Sequence, residues 1–441
     1  MGSDTVVGFA SAPLEIIDGD RGTNYPKQSD FSLSGDCLFL NTGNVTSNGF
    51  DFTQLNFISR EKDQQLRKGK AKRYDVILTT RGTVGNVSYY DQSVPFEDIR
   101  INSGMVLLRA DRRKLWPQYL YYFVRSSLFG TQVASLSTGS AQPQLPIRDI
   151  NRVKIRIPSL DEQRAIAAVL GALDDKIELN RRMNGTLEAM ARALFKSWFV
   201  DFDPVRAKME GRPTGLPGEI EALFVGEMEE GRPLGWGVGT LGDICDYIMS
   251  GGTPRTTQSE FWDGEIPWLS SGETRQRFII DTEKTITQLG VERSSTRLAR
   301  AHSTVIAGAG QGHTRGQTSL LLFDSYINQS VVALAANKSV SSDLFVFLSL
   351  VPRYEEFRQL SDSHSSRGSL TTRLLATVPI IKPPIELIQH FDNVVGPMVK
   401  RIKTNLNEAK TLTALRDGLL PKLMSGEVRV PLAEEVVADA L

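Results

Sequence analysis

The chain has 441 residues, 40% of them hydrophobic and 23% charged, with Lys plus Arg equal to Asp plus Glu at 51 each. That is the composition of a core-forming globular protein, long enough for about three domains at ~150 residues each, and its balanced charge points to no class of partner. Two cysteines, Cys37 and Cys245, exclude a disulfide framework or a paired-thiolate metal site, and no apolar run reaches the ~18 residues of a membrane span.

The opening MGSDTVVGFA lacks the basic and apolar regions of a secretory leader, and Val6 stands where a myristoylation signal needs Ser or Thr. A cytoplasmic protein is expected. Residues 1–156 are rich in Val, Ile, Thr, Tyr and Phe with Gly, Asn and Asp punctuation, as in a β-rich domain. Here lies a basic stretch: Arg60, Lys62, Arg67, Lys68, Lys70, Lys72, Arg73 and Arg81 against Glu61, Asp63 and Asp75. Basic side chains among Thr, Ser, Asn and Gln suit phosphate contacts plus hydrogen bonds to base edges, and the alternative is a solvated charged face. YDVILTTRGTVGNVSYYD reads as two strands across a glycine turn that carries Arg81 and Thr83. STGSAQPQL, with Ser140 and Gln142, is a loop that either enters a groove or merely connects.

Residues 157–215 read as a long helix and a linker. Ser159, with Glu162 three residues on, is a capping-box signature. Ile166, Leu170, Leu173, Ile177, Asn180, Asn184, Leu187, Ala191, Leu194 and Trp198 then step alternately by four and three, the 3.5-residue period of a coiled coil. The helix ends in Phe195, Trp198 and Phe199, followed by Phe202, a cluster expected to dock on a neighbouring element or on another subunit.

Residues 216–381 repeat the β-rich pattern, opening at GWGVGTLGDI. The first domain, beginning near APLEIIDGDRGTNYP, shows no counterpart of that opening. STVIAGAGQGHTRGQTSLLLFD reads as another strand pair across a glycine turn, bearing Gln311, His313 and Arg315. Looser basic residues follow the same logic as the first set: Arg255, Arg275, Arg277, Arg293, Arg297 and Arg300. SSRGSLTTR, with Arg367, Thr372 and Arg373, occupies the place of STGSAQPQL and is likewise a loop that either enters a groove or merely connects. Residues 382–430 form a second long helix, with Phe391, Val395, Met398, Ile402, Asn405, Ala409, Leu412, Arg416, Leu419 and Leu423 at the same spacing, and 431–441 a tail. Arg416 is at odds with an apolar seam, so a drift that turns Leu415 inward is the alternative there. Leu419, Leu420 and Leu423 are expected to form an apolar patch like that of the aromatic end.

These parts form an internal repeat. IPSLDEQRAIAAVLGALDDKIELN (157–180) matches KPPIELIQHFDNVVGPMVKRIKTN (382–405), with Pro158 opposite Pro384, Gln163 opposite Gln389 and Asn180 opposite Asn405. IRINSGMVLL matches SYINQSVVAL, and RGTVGN (81–86) falls opposite AGAGQG (307–312), all in one order about 225 residues apart. A buried Asn at equivalent seam positions fixes register at some cost in stability.

Catalytic chemistry is not visible. Gly237-Val-Gly-Thr-Leu-Gly242 matches a dinucleotide fingerprint but opens a strand instead of following one. GAGQGHTRG lacks the Lys-Ser/Thr ending of a phosphate loop, and the four histidines lack metal-ligand spacing.

IPSLDEQRAIAAVLGALDDKIELNRRMN, LFKSWFVDFDPV, LRDGLLPKLMSGEV, LNTGNVTSNGFDF and YDVILTTRGTVGNV together resemble the specificity subunit of type I restriction–modification enzymes, over nearly the whole chain. The resemblance implies an α+β fold: two β-rich target recognition domains, similar to that of a monomeric adenine methyltransferase, related by an internal repeat and separated by two long antiparallel coiled-coil-like helices. It implies a non-catalytic subunit that reads a bipartite site in double-stranded DNA. Its expected partners are two methyltransferase subunits, which modify adenine, and a restriction–translocase subunit. S-adenosylmethionine, ATP and Mg are used by those partners, with no cofactor or metal in this chain. The other readings are a stand-alone DNA-modifying or DNA-cleaving enzyme and a two-domain protein-binding scaffold.

Overall fold

A computed structural model describes residues 5–136, 144–309, 313–364, 369–438 and 440. The chain divides into two compact units, Met1–Glu178 with Lys410–Leu441, and Leu179–Ala409. Each is α+β, and each contains one half of both long helices, α1 (Leu160–Phe199) and α2 (Ile385–Ser425).

In the first unit, a four-stranded antiparallel sheet runs in the order Leu14–Asp18, Met105–Ala110, Val76–Thr79, Val87–Tyr89. The last two strands are the pair expected across the glycine turn, with Val76 opposite Tyr89 and Leu78 opposite Val87. A second sheet places Cys37–Leu40 between Phe57–Ile58 and Ile99–Ile101. Alternation divides the side chains of Met105–Ala110 between two cores: Val106 and Leu108 join one that contains Ile166, Leu170 and Leu173, while Met105 and Leu107 join Leu38, Leu40 and Ile99 in the other.

The second unit repeats this plan. A five-stranded sheet runs Cys245–Ser250, Val331–Ala336, Thr304–Ala307, Thr318–Leu321, Phe278–Ile279, and a four-stranded sheet places Trp262–Leu269 beside Ser325–Ile327. Thr304–Ala307 and Thr318–Leu321 are again an antiparallel pair.

The first domain does have an opening strand, contrary to the sequence reading. Thr5–Gly8 pairs antiparallel with Lys154–Ile157, as Gly237–Thr240 pairs with Pro379–Lys382 in the second unit. Ser159 caps α1, its Oγ accepting from Glu162 N at 3.2 Å. The Glu162 carboxylate receives Arg156 Nη2 at 2.7 Å, so the expected reciprocal box becomes a cap plus an ion pair. The presumed tail is a helix, Val430–Ala438, anchored by buried Ala433 and Val437.

The 3.5-residue seam is occupied as the spacing predicts. In the first unit Ile166, Leu170, Leu173, Leu412 and Leu423 are buried, with Ile177 and Leu419 partly so. In the second, Val395, Ile402, Asn180 and Asn405 are buried, and Leu187, Leu194 and Met398 pack around the core. Asn180 Nδ2 donates to Glu408 Oε2 at 3.0 Å and Asn405 Nδ2 to Asn184 Oδ1 at 2.8 Å, which makes the pair antiparallel. Arg416 keeps its seam position because Asp174 meets it: Nη1 lies 2.7 Å from Asp174 Oδ1. Drift of the helix is unnecessary, and Leu415 packs partly buried beside it.

The aromatic end of α1 is no exposed patch. Phe195, Trp198, Phe199 and Phe202 are buried in the second unit's own core, Phe199 lying 5.1 Å from both Phe345 and Phe391 and Trp198 5.3 Å from Phe224 between ring centroids. Leu420 and Leu423 are buried in the first unit. The sequence shows that large apolar groups cluster here; it does not show that a strand-rich domain folds back over them.

Candidate nucleic-acid interface

Each unit holds its sheets together through the same set of hydrogen bonds, in which main-chain amides donate to carbonyls and to one Asn side chain. In the first, Asn102 N donates to Leu40 O at 3.0 Å, Gly104 N to Asn102 Oδ1 at 2.9 Å, and Thr80 N and Arg81 N to Gly104 O at 2.7 and 3.2 Å. Leu145 N then donates to Thr80 O at 3.0 Å. In the second, Asn328 N donates to Leu269 O at 3.0 Å, Ser330 N to Asn328 Oδ1 at 3.0 Å, and Gly308 N and Ala309 N to Ser330 O at 2.8 and 3.3 Å. Leu370 N closes the set on Gly308 O at 2.7 Å.

Glycine is required at the back of both frames. A Cβ on Gly19 would lie 2.1 Å from Asn102 O, and one on Gly251 1.8 Å from Ile327 O, distances no side chain tolerates. The frame also corrects the repeat at one place. The RGTVGN and AGAGQG match sets Arg81 opposite Ala307, whereas the hydrogen bonds set it opposite Ala309. The second unit's counterpart of Arg81 is therefore Ala309.

The basic stretch separates into two groups. Lys62 pairs with Asp30 at 3.1 Å, Lys70 bridges Asp63 and Asp98 at 2.8 and 2.7 Å, and Arg73 lies over the Tyr90 ring at 4.4 Å and bonds Glu97 at 3.0 Å. Burial works against the charge on Lys70, yet its hydrogen bonds to Asp63 and Asp98 hold its pKa above the ordinary lysine value. Such cations brace loops. Arg60 is loosely held, 3.7 Å from Asp36 and 73% exposed. Arg67, Lys68, Lys72 and Arg81 are exposed, and their side chains have no partner among the described residues; Thr83 is exposed beside Arg81.

The second unit divides likewise. Arg315 is tied to Asp362, Arg277 to Glu188 at 3.4 Å, and Arg300 to Asp246 at 3.3 Å. Arg255, Arg275, Arg293, Arg297 and Arg373 are exposed, with side chains that have no partner among the described residues. His313 is exposed, and Thr372 is the half-exposed first residue of the short helix Thr372–Ala376. Ser140, Gln142, Gln311 and Arg367 lie outside the described residues. Sequence reasoning had no signal for this division, because the acidic partners come from distant segments.

Among the described residues no group of three or more His, Cys, Asp or Glu side chains could hold a metal ion, and no helix is long and apolar enough to cross a membrane. Each unit thus carries exposed cations without a carboxylate partner among the described residues, and in the first unit the turn residue Arg81 is one of them. The family model of the type I restriction–modification DNA specificity domain matches residues 14–189 and again 233–392, one match for each half of the repeat. The chain belongs to that family. It is a DNA specificity subunit. Among relatives, it is 28% identical to the specificity subunit of the type I restriction enzyme HindI of Haemophilus influenzae, over 93% of this chain and 98% of that one. It is 26% identical to the MjaIX specificity subunit of Methanocaldococcus jannaschii, over 80% of this chain and 78% of that one. The fold is that of the S subunit of a type I system from M. genitalium, at a TM-score of 0.61 and 15% identity over 96% of each chain.

Proposed function

We propose that this specificity subunit reads a bipartite site in double-stranded DNA, one half with each unit, and leaves the chemistry to partners. Two methyltransferase subunits would modify adenine with S-adenosylmethionine, and a restriction–translocase subunit would use ATP and Mg. The observation that carries the reading is the repeated frame: the same buried bonds support two rims whose exposed side chains differ. A symmetric frame suits two half-sites, and different side chains suit different bases.

Arg67, Lys68 and Lys72 in the first unit, and Arg255, Arg293 and Arg297 in the second, are the phosphate-contact candidates, because a free cation can release counterions from DNA and one already neutralised by a carboxylate cannot. Arg81 and Thr83, on the turn itself, are the base-reading candidates of the first unit. An exposed guanidinium can donate two parallel hydrogen bonds to guanine O6 and N7. In the second unit that role passes to other side chains, with Arg275, His313, Thr372 and Arg373 as candidates. The α1–α2 pair would act as the spacer that sets the number of unspecified bases between half-sites.

The test is to sequence methylated positions in cells carrying Arg81→Ala together with the partner subunits. Relaxed or altered bases in one half-site, with the other half and the gap retained, are expected. Equal loss over both half-sites would contradict the division of labour.

A further inference from the structure

The hydrogen-bonded frame fixes two neighbouring places in each unit. The first belongs to the second amide that donates to the frame carbonyl, Arg81 in one unit and Ala309 in the other. The second is the residue just before that carbonyl's owner, Ser103 before Gly104 and Gln329 before Ser330. Its backbone is held on both sides, because the Asn that precedes it and the residue that follows are both bonded into the frame. The two places are filled reciprocally. The first unit sets a long, exposed arginine beside a half-buried serine, and the second sets an alanine beside a long, exposed glutamine.

Gln329 is also aimed. Thr253 Oγ1 donates to Gln329 Oε1. Thr253 follows fixed backbone: Gly252 N donates to Ile327 O at 3.1 Å, and buried Trp268 Nε1 donates to Gly252 O at 3.2 Å. Strand register makes Thr253 the counterpart of Arg21, since Ser250 lies opposite Val332 as Asp18 lies opposite Val106. Arg21 does something different, donating to Ser103 O at 3.2 Å and pairing with Asp18. The second unit thus replaces a main-chain contact by one that orients a side chain. With its oxygen bonded to Thr253, the amide keeps both Nε2 protons, for which the described residues supply no acceptor. An aimed amide loses fewer rotamers on binding than a free one. Its donors suit the N7, O6 and O4 acceptors of base edges in the major groove.

We propose that Gln329, aimed by Thr253, is a base-reading residue of the second unit and takes the part that Arg81 plays in the first. The inference rests on the reading of each unit as the reader of one half-site. It adds a residue that a search for cations passes over, because Gln329 carries no charge.

The experiment sequences methylated positions in cells that carry the variant chain with its partner subunits. Gln329→Ala is expected to weaken the preference for one base of one half-site by about fivefold or more, with the other half-site and the gap retained. Arg81→Ala, run beside it, is expected to change the other half-site. Gln329→Glu keeps the size and the acceptor for Thr253 but removes the donors, so it is expected to reject the parent base at that same position. Thr253→Val is expected to relax that position less than Gln329→Ala does. Both Gln329 variants, purified, are expected to unfold at the parent temperature, because the side chain is exposed. A uniform fall in methylation with the preference intact would make Gln329 a phosphate contact and overturn the inference. A loss that tracks a lowered unfolding temperature would overturn it as well. If Arg81→Ala changes its half-site and Gln329→Ala changes none, the inference falls and the reading of two half-sites stands. If neither variant changes a base, both fall.

Discussion

The two units share a frame and differ in what they hang on it. Gly104 O in the first and Ser330 O in the second each accept from two consecutive amides, and the second of those amides belongs to an exposed arginine in one unit and to Ala309 in the other. Duplication has preserved the buried polar bonds, whose loss would leave main-chain groups unpaired at about 1–3 kcal/mol each, and has left the outer side chains free to diverge. A protein that must keep its fold while changing the bases it reads needs that separation. The helix ends differ in the same manner. The second unit closes over an aromatic cluster, whereas the first closes over leucines and the Arg125–Asp174–Arg416 group.

The largest effects should come from breaking those closures. Trp198→Ala removes a buried ring from the second unit and should cost about 3–5 kcal/mol there. Hydrogen exchange resolved by peptide should show the loss in Leu179–Ala409 and little in the first sheet. A folded, unperturbed second unit would return Trp198 to the role of a partner-facing residue. Asp174→Ala is its counterpart, leaving Arg125 with the Tyr121 hydroxyl and Arg416 with the exposed Asp417, and about 3 kcal/mol is expected from denaturant unfolding. Asp174→Ala unfolding at the parent midpoint would show that the group contributes little to closing the first unit.

A smaller, pH-dependent effect is expected in the second unit. Burial pushes the Asp392 carboxyl up to about 6, although Ser342 Oγ donates to it at 2.8 Å. A folded-state pKa above the unfolded value gives a contribution that is full below pH ~4 and lost as pH rises through ~6. Asp392→Asn should therefore stabilise the protein by about 1–2 kcal/mol at pH 7.5, with the gain shrinking as pH falls from 6 to 4. A gain independent of pH would place its cause elsewhere.

The smallest effect separates free cations from braced ones. Lys68→Ala with Lys72→Ala should lower the log–log salt slope of DNA binding by up to about 1.8, at ~0.9 per lost phosphate contact, with stability unchanged. Lys70→Ala should do the reverse, lowering stability and leaving the slope nearly intact, because its ammonium already serves Asp63 and Asp98. Slopes that fall equally for both would erase the distinction.

Much of this architecture is legible in the residues, and the failures share a cause. The 3.5-residue spacing and the glycine-centred strand pairs are local patterns, so the helices and hairpins can be read directly. Thr5–Gly8 is invisible because its partner, Lys154–Ile157, lies far along the chain. The same holds for the cations: Lys70 and Arg315 look like Lys72 and Arg297 until Asp98 and Asp362 fold in beside them. The turn register is shifted because AGAGQG matches RGTVGN by its glycines, while the hydrogen bonds that define equivalence come from Gly104 and Ser330. For Ile166, Leu170 and Leu173 the periodicity alone suffices.

The central claim is that two readers are held on one helical spacer, and its most direct test lengthens that spacer without disturbing either reader. The unit boundary falls after Glu178 in α1 and after Ala409 in α2, so four residues inserted at both points leave each unit's own helix pairing intact. They add about 6 Å of helix, against ~3.4 Å of DNA per base pair. Sequencing methylated sites in cells that carry the variant should show both half-sites unchanged and one or two more unspecified bases between them. Altered half-site bases across an unaltered gap would contradict the account.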